Sequence, residues 1–465
     1  MSSESANLDC PPEKSLEIGS LLDASSWNGY QKLVLLLLTS VMVLDGVDAQ
    51  VLSLSLSAIT TEFHTNRSAI SWIYALSFIG MAIGAALGGI LGDKYGRKIV
   101  LVVATFVFGA LTATAAFVDS IFWLGACRAI ASLGMGGAMP TVAALTAEYT
   151  GAGKRSLALG VVMAGLPLGG ILVGVLAAGV LPTQGWRSLF LVAGLAPVVL
   201  SIVLLALLPD SLRFVLKKSK NTYKASRILA RVTGQKISSN LHLYYQEEKK
   251  TKVSISEIAT GGYLLDTVLI SLGLFFAVLC TYMMYSWSPT FFIEAGYDVK
   301  YSSLTMSLFS TGGLLGAIIA GYFFSVLGSR KTLIKMVALG IMFCIGLSVL
   351  PSSQISESPT AILIALFVLG VCIPGTQSAI MVMVTQVYPS HMRSTGVGIA
   401  AAVGRVGAIA SAFIGPYALS GANLTFFGTL ALAMLFCILM VCTVSRQVKR
   451  VEKFSPVTLK TQEAD

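Results

Sequence analysis

Two carboxylates, Asp45 and Asp48, stand three residues apart in the middle of the first long apolar run, within Leu44-Asp45-Gly46-Val47-Asp48-Ala49. At that spacing they occupy neighbouring positions on one helix face. The glycine between them has no Cβ, so another helix or a solute can come close to that face. A carboxylate near the middle of a bilayer costs roughly 2.5–3.5 kcal/mol on insertion scales, so it persists where it faces a cavity or a partner. An acidic pair of this kind is what a proton-handling element needs. The competing reading is a fixed ion pair with Arg128, an arginine inside the fourth apolar run.

Two cations inside apolar runs complete the charged set. Arg128 opens the stretch Arg-Ala-Ile-Ala-Ser-Leu-Gly-Met-Gly-Gly-Ala, whose small residues allow close helix packing. Arg405 lies in Gly404-Arg405-Val406-Gly407-Ala408 of the eleventh run, in a half with no comparable buried acid. A guanidinium there offers a bidentate fork to a carboxylate, which makes Arg405 the sharper candidate for holding an anion and Arg128 the second. Its bland alternative is an arginine bonded to backbone carbonyls or reaching out to water.

The elements that must position these groups follow from composition. The chain has 465 residues, 55% of them hydrophobic and 12% charged, against about 25% charged in a soluble protein. Runs long enough to cross ~30 Å of hydrocarbon fall at 32–58, 69–91, 99–118, 121–147, 156–180, 188–208, 263–291, 301–326, 332–350, 359–387, 395–418 and 424–445. The fold expected is an all-α membrane protein of twelve transmembrane helices in two six-helix bundles. Most of the 32 Lys and Arg fall after helices two, four, six, eight and ten and in the C-terminal tail, and only Arg67, Arg187 and Lys300 fall in the opposite connections. By the positive-inside rule both termini then face the cytoplasm. The net charge of +10 reads as topology and contact with anionic lipid, and no nucleic-acid partner is expected. Met1 to Asp23 is polar and acidic, so no cleavable signal peptide is expected and the first run is its own insertion signal.

The domain expectation is a cytoplasmic tail at 1–31, an N-terminal bundle at 32–208, a cytoplasmic linker at 209–262, a C-terminal bundle at 263–445 and a second tail at 446–465. The linker carries eleven Lys or Arg, with helix-like segments at Asn221–Val232 and Leu241–Lys252. The halves echo each other. Gly89-x-x-x-Asp93-x-x-Gly96-Arg97-Lys98 follows helix two, and Gly321-x-x-x-Ser325-x-x-Gly328-Ser329-Arg330-Lys331 follows helix eight, 233 residues on. Arg155-Ser156-x-x-x-Gly160 and Arg393-Ser394-x-x-x-Gly398 open helices five and eleven, 238 residues apart. Two similar offsets argue for an internal duplication.

The charged loop at 92–98 resembles the signature loop of the major facilitator superfamily. The resemblance implies a cytoplasmic latch formed by Gly89, Asp93, Gly96 and Arg97; Glu148, at the inner end of helix four, and Arg155, at the start of helix five, are read as further gating candidates from their positions, and Ser325 in the second copy departs from the pattern. With Asp-Gly-Val-Asp in helix one and the motif around Arg405, the whole membrane region resembles the aromatic acid:proton symporters, the benzoate and hydroxybenzoate carriers. That family implies a requirement for the helix-one acids, so Asp45 or Asp48 is expected to carry the proton. An aromatic substrate needs flat apolar walls: Tyr282, Tyr285 and Trp287 in helix seven, Trp72, Tyr74 and Phe78 in helix two, and Phe309 in helix eight are candidates. Gln377 and Ser378, after a Pro374-Gly375 break in helix ten, offer hydrogen bonds to a ring substituent.

The expected function is therefore proton-coupled import of an aromatic carboxylate by alternating access, by a monomer in the inner membrane. The main rival within transport is another organic anion, such as muconate or a dicarboxylate, and a membrane receptor stays open as a different class. No enzyme, cofactor or metal is expected. His64, His242 and His391 have no ligand spacing, and no nucleotide loop occurs. The seven cysteines have no paired spacing. Glu148 and Asp266 are expected near water. Gly165, Gly169, Gly170 and Gly174 around Pro167 are expected to form a packing seam between the halves, and Trp186 an interfacial anchor.

Overall fold

A computed structural model of the protein describes residues 15–24, 27–216, 222–234, 242–244, 262–350, 359–389, 392–420 and 422–446. Cys10, His391, the Ser325 side chain and most of Leu241–Lys252 lie outside the described residues.

Lipid offers backbone N–H and C=O groups no partner, so a spanning chain satisfies them within helices. The N-terminal half contains α1 (Ile18–Ala24), α2 (Gly29–Glu62), α3 (Arg67–Tyr95), α4 (Arg97–Ala115), α5 (Ile121–Glu148), α6 (Ala152–Met163) and α7 (Gly165–Leu207). A connecting region follows with α8 (Leu212–Phe214) and α9 (Thr222–Thr233). The second half holds α10 (Leu264–Glu294), α11 (Val299–Leu327), α12 (Ser329–Val349), α13 (Pro359–Val387), α14 (Arg393–Ser420) and α15 (Ala422–Thr443). Polar side chains start the helices where the chain leaves the membrane. Asn28 accepts from Gln31 N at 2.8 Å, Asn66 from Ala69 N at 3.1 Å and Asp298 from Tyr301 N at 2.7 Å.

Eleven stretches are long and apolar enough to span, one of them the 56-residue Ala152–Leu207. At 1.5 Å per residue that stretch would run to about 84 Å, far beyond a bilayer. It is two passes, because the backbone breaks at Gly185, where φ is +77°. The described residues therefore contain twelve passes. The same device recurs at the two signature loops: Gly96 (φ +98°) parts α3 from α4, and Gly328 (φ +79°) parts α11 from α12. A side chain rarely adopts that backbone conformation.

The duplication is visible in the packing. In the first half α2 packs on the first part of α7, α3 on α5, and α4 on the second part of α7; in the second half α10 packs on α14, α11 on α13, and α12 on α15. These are the same three pairings in each bundle. Close approach needs glycine where α2 meets α7: a Cβ on Gly169 would lie 2.7 Å from Val47 N and 2.8 Å from Gly46 Cα. Gly165 and Gly169 thus serve packing inside the first half. Gly170 and Gly174 abut Ser310 and Ser303 of α11 in the other half, so the glycine stretch divides between the two roles instead of forming one seam.

Other expectations are corrected. The stretch at His242–Tyr244 is extended and pairs in parallel with Ser15–Glu17, so the helical period expected there yields to strand pairing. Helix α1, within the expected N-terminal tail, packs on the first half: Ile18 and Leu22 are buried in a core with Leu145, Leu208 and Leu229. Helix α13 runs through Pro374 without a break. Trp186 is 3% exposed, and its Nε1 donates to Glu62 Oε2 at 2.6 Å.

Candidate functional site

Asp48 is fully buried, and α2, α4 and α5 enclose it. Arg128 Nη1 donates to both of its carboxylate oxygens at 3.0 Å, and Thr112 Oγ1 donates to Oδ1 at 2.5 Å. Arg128 Nη2 adds a bond to the Asp48 backbone carbonyl at 3.1 Å. Removing two charges from water is expensive, and geometry of this quality is what offsets it. All three residues belong to the N-terminal half, so the pair ties that bundle together. Arg128 is therefore corrected as an open anion fork: Asp48 and its backbone occupy both terminal nitrogens.

Asp45 stands one turn away and is differently placed. It is 3% exposed, and its Oδ1 has no hydrogen-bond partner. Two charges act on it, Asp48 on its own helix and Arg405 on α14 of the opposite half. Arg405 is half-buried and, among the described residues, takes part in no hydrogen bond or ion pair. Ala49, one turn beyond Asp45 on the same face, is exposed, so this face borders open space. The structure thus puts an unpaired acid and an uncommitted guanidinium on opposite halves.

Helix α10 carries the aromatic residues expected to form the wall. From Ala277 to Phe292 every residue is buried except Tyr282 and Tyr285, which are half-buried. Phe78 of α3 meets the Tyr282 ring edge-on with centroids 4.9 Å apart, and Phe309 of α11 meets Tyr285 at 5.2 Å. Gln377 on α13 is half-buried with Oε1 unpartnered. Trp72 is corrected as a wall: 61% exposed, it packs against Phe413 of α14 at 5.1 Å, on the rim. Trp287 is fully buried, donating Nε1 to Ser411 O at 3.2 Å.

At the other end of the N-terminal bundle, Arg97 pairs with Glu148 and, at 3.4 Å, with Asp93. Glu148 and Asp266 were expected near water; both are buried, 8% and 3% exposed, and ion-paired, Asp266 to Arg446 at 3.1 Å. Gly96 lies under the Phe214 ring. Gly89 and Arg155 do not join this cluster. Gly89 faces open space, and Arg155 is exposed at the start of α6.

Sequence reading missed Thr112 and the pair Gln50–Ser310, whose amide and hydroxyl meet between the halves at 3.5 Å. A hydroxyl and an amide at mid-span were the available signals. Which helix they face is not encoded in local sequence.

Comparison with known proteins bears on this arrangement. The model of the Major Facilitator Superfamily matches residues 38–412. The chain is 31% identical over 409 residues to the 4-hydroxybenzoate transporter PcaK of Pseudomonas aeruginosa, covering 87% of this chain and 90% of that protein. It is 28% identical to a gallate transporter of Pseudomonas putida, covering 88% and 90%. With the benzoate transport protein of Acinetobacter baylyi it shares 26% identity, covering 96% of each. Among solved structures, the inward open conformation of the xylose transporter XylE from E. coli superposes with a TM-score of 0.70 at 16% identity, covering 90% of this chain and 97% of that one; that likeness concerns the fold. A transporter and not an enzyme, with acid and guanidinium set on opposite bundles, the chain belongs to the major facilitator superfamily and, within it, to the aromatic acid carriers.

Proposed function

We propose that this protein imports an aromatic carboxylate of the benzoate or hydroxybenzoate type together with protons, by alternating access of its two halves. One observation carries the reading: Asp45, buried and without a partner on Oδ1, shares the interface between the halves with the uncommitted Arg405. A substrate carboxylate on Arg405 and an ionised Asp45 compete for one cation. The bound anion is therefore accompanied by the neutral form of Asp45, which couples proton to substrate. Tyr282 and Tyr285 supply the ring wall, and Gln377 a hydrogen bond to a ring substituent. Asp48 and Arg128 hold α2 in place and take no part in proton transfer. The relatives, carriers named for 4-hydroxybenzoate, gallate and benzoate, support the substrate class.

In this reading the chain works as a monomer in the inner membrane with both termini cytoplasmic. The bundles run over 32–208 and 263–445, joined by a cytoplasmic linker at 209–262. Asp93, Arg97 and Glu148 form the cytoplasmic latch. The contacts between halves join α2, α3 and the first part of α7 to α10, α11 and α14 on the side of Glu62 and Glu294, which supports an opening toward the cytoplasm in this reading.

The test is uptake of radiolabelled 4-hydroxybenzoate into proteoliposomes under an imposed pH gradient. Accumulation that collapses with the gradient, and that Asp45→Asn abolishes while substrate binding persists, is the expected result. Gradient-driven accumulation surviving in Asp45→Asn would end the proton assignment; binding without accumulation in the parent would favour a receptor.

A further inference from the structure

Gln50 of α2 is 4% exposed. Its Nε2 donates to Ser310 Oγ of α11 at 3.5 Å, and its Oε1 has no partner. A buried acceptor without a donor is costly to keep, and an apolar side chain of similar size would avoid that cost. The surroundings are shaped for the amide all the same. A Cβ on Gly170 of α7 would collide with both Gln50 Nε2 and Ser310 Oγ, and the Tyr285 hydroxyl also reaches Ser310. The cluster has one acceptor left over.

Gln50 and Arg405 stand on opposite flanks of the α10 rings. Tyr282 meets Phe78 of α3, and α3 packs on α14, which carries Arg405. Tyr285 meets Phe309 of α11, the chain neighbour of Ser310. The two also differ in depth. Gln50 is five residues beyond Asp45 on α2, about 7.5 Å nearer the Glu62 end at helical rise, and the Arg405 charge acts on Asp45. A carboxylate and an oxygen opposite it on a benzene ring are separated by a comparable span. Ala49, beside Gln50, is exposed, so open space reaches to within one residue of the amide. The last torsion of a glutamine is soft and the bond to Ser310 is long, so a modest turn carries Oε1 to a hydroxyl arriving there. Gln377 serves another place: Gly375 of α13 packs on Gly316, which sets Gln377 about two turns inward of Ser310.

We propose that Gln50, oriented by Ser310, accepts a hydrogen bond from a hydroxyl at the ring position opposite the substrate carboxylate, and so selects among aromatic acids. The inference rests on the reading of an aromatic carboxylate held at Arg405 and adds the residue that recognises the far end of its ring. An O–H donating to an amide oxygen is a neutral bond, which is worth about 5- to 10-fold in affinity. An acid with a bare ring leaves Oε1 unpaired and gains none of this. A hydroxyl one position round the ring points away from the amide and gains none either.

The test is isothermal titration of the full-length purified chain with 4-hydroxybenzoate, 3-hydroxybenzoate and benzoate at one pH. The parent should bind 4-hydroxybenzoate about 5- to 10-fold more tightly than the other two. Gln50→Met keeps the length of the side chain and removes its hydrogen bonding. It should weaken 4-hydroxybenzoate by that factor and leave 3-hydroxybenzoate and benzoate within about two-fold of the parent. Ser310→Ala deletes one oxygen and frees the amide; it should lower the preference about two- to three-fold and decides the matter if Gln50→Met does not fold. Three results would overturn the assignment: a parent without the preference, a preference untouched by the variants, or equal weakening of all three acids, which would mark Gln50 as a packing residue. A 3-hydroxybenzoate loss as large as that of 4-hydroxybenzoate would overturn the ring position. A folded parent that binds none of the three acids refutes the aromatic carboxylate reading, and this inference with it. Binding that is intact but indifferent to Gln50 and Ser310 refutes this inference alone.

Discussion

The two helix-one acids should separate in a single pair of measurements. Asp48 receives two bonds from Arg128 Nη1 at 3.0 Å and one from Thr112 at 2.5 Å, and it is fully buried. Asp48→Asn removes the charge that neutralises Arg128 and leaves a buried guanidinium without a counter-ion. Breaking a buried pair by removing one partner costs about 3–5 kcal/mol. At ~2 °C per kcal/mol, the low end of the range for long chains, the melting temperature of purified protein should fall by about 6–10 °C. Asp45→Asn removes an acid whose Oδ1 has no partner, so no hydrogen bond on that oxygen is broken. Its melting temperature should stay within about 2 °C of the parent while proton-driven uptake disappears. The double variant Asp48→Leu with Arg128→Met removes both charges together and should recover most of the lost stability, because an apolar replacement of a buried pair is often neutral or better. The assay is thermal unfolding in detergent followed by tryptophan fluorescence, run beside uptake. Equal destabilisation by Asp45→Asn and Asp48→Asn would refute the division of labour, as would a double variant no more stable than Asp48→Asn alone.

Arg405→Lys keeps the charge but loses the planar fork; substrate affinity should drop about 10-fold or more, the scale of one charge-assisted hydrogen bond of 1.5–3 kcal/mol, as read by isothermal titration. Gly46→Ala drives a methyl into the Leu166 carbonyl and should lower the amount of folded protein recovered after detergent extraction. Gly89→Ala, with open space around it, should leave recovery unchanged, although both glycines sit in motifs. Tyr282→Ala removes the ring that Phe78 packs against and should weaken aromatic acid binding more than Tyr282→Phe, which keeps the ring; equal losses would assign the role to the hydroxyl.

The membrane-spanning class, the positions of the passes, the charge asymmetry across them and the duplication were legible from the residues alone. Each depends only on composition and spacing along the chain. The sequence also brought Asp45, Asp48, Arg128 and Arg405 into view, because charge within an apolar run is conspicuous. What it left open is which acid is free. At about 100° per residue, positions 45 and 48 point some 60° apart, and that angle sends one carboxylate into its own bundle and the other toward the opposite one. The residues that settle the matter, Thr112 and Arg128 bonded to Asp48 and Arg405 whose charge acts on Asp45, lie from 64 residues to most of the chain away. The rotation of each helix about its axis is set by its neighbours, through contacts such as Gly46 on Gly169 and Tyr149 OH on Asp210 O. The same cause moved Trp72 to the rim and buried Glu148: an amphipathic pattern says that one face differs from another, and only packing decides what that face meets.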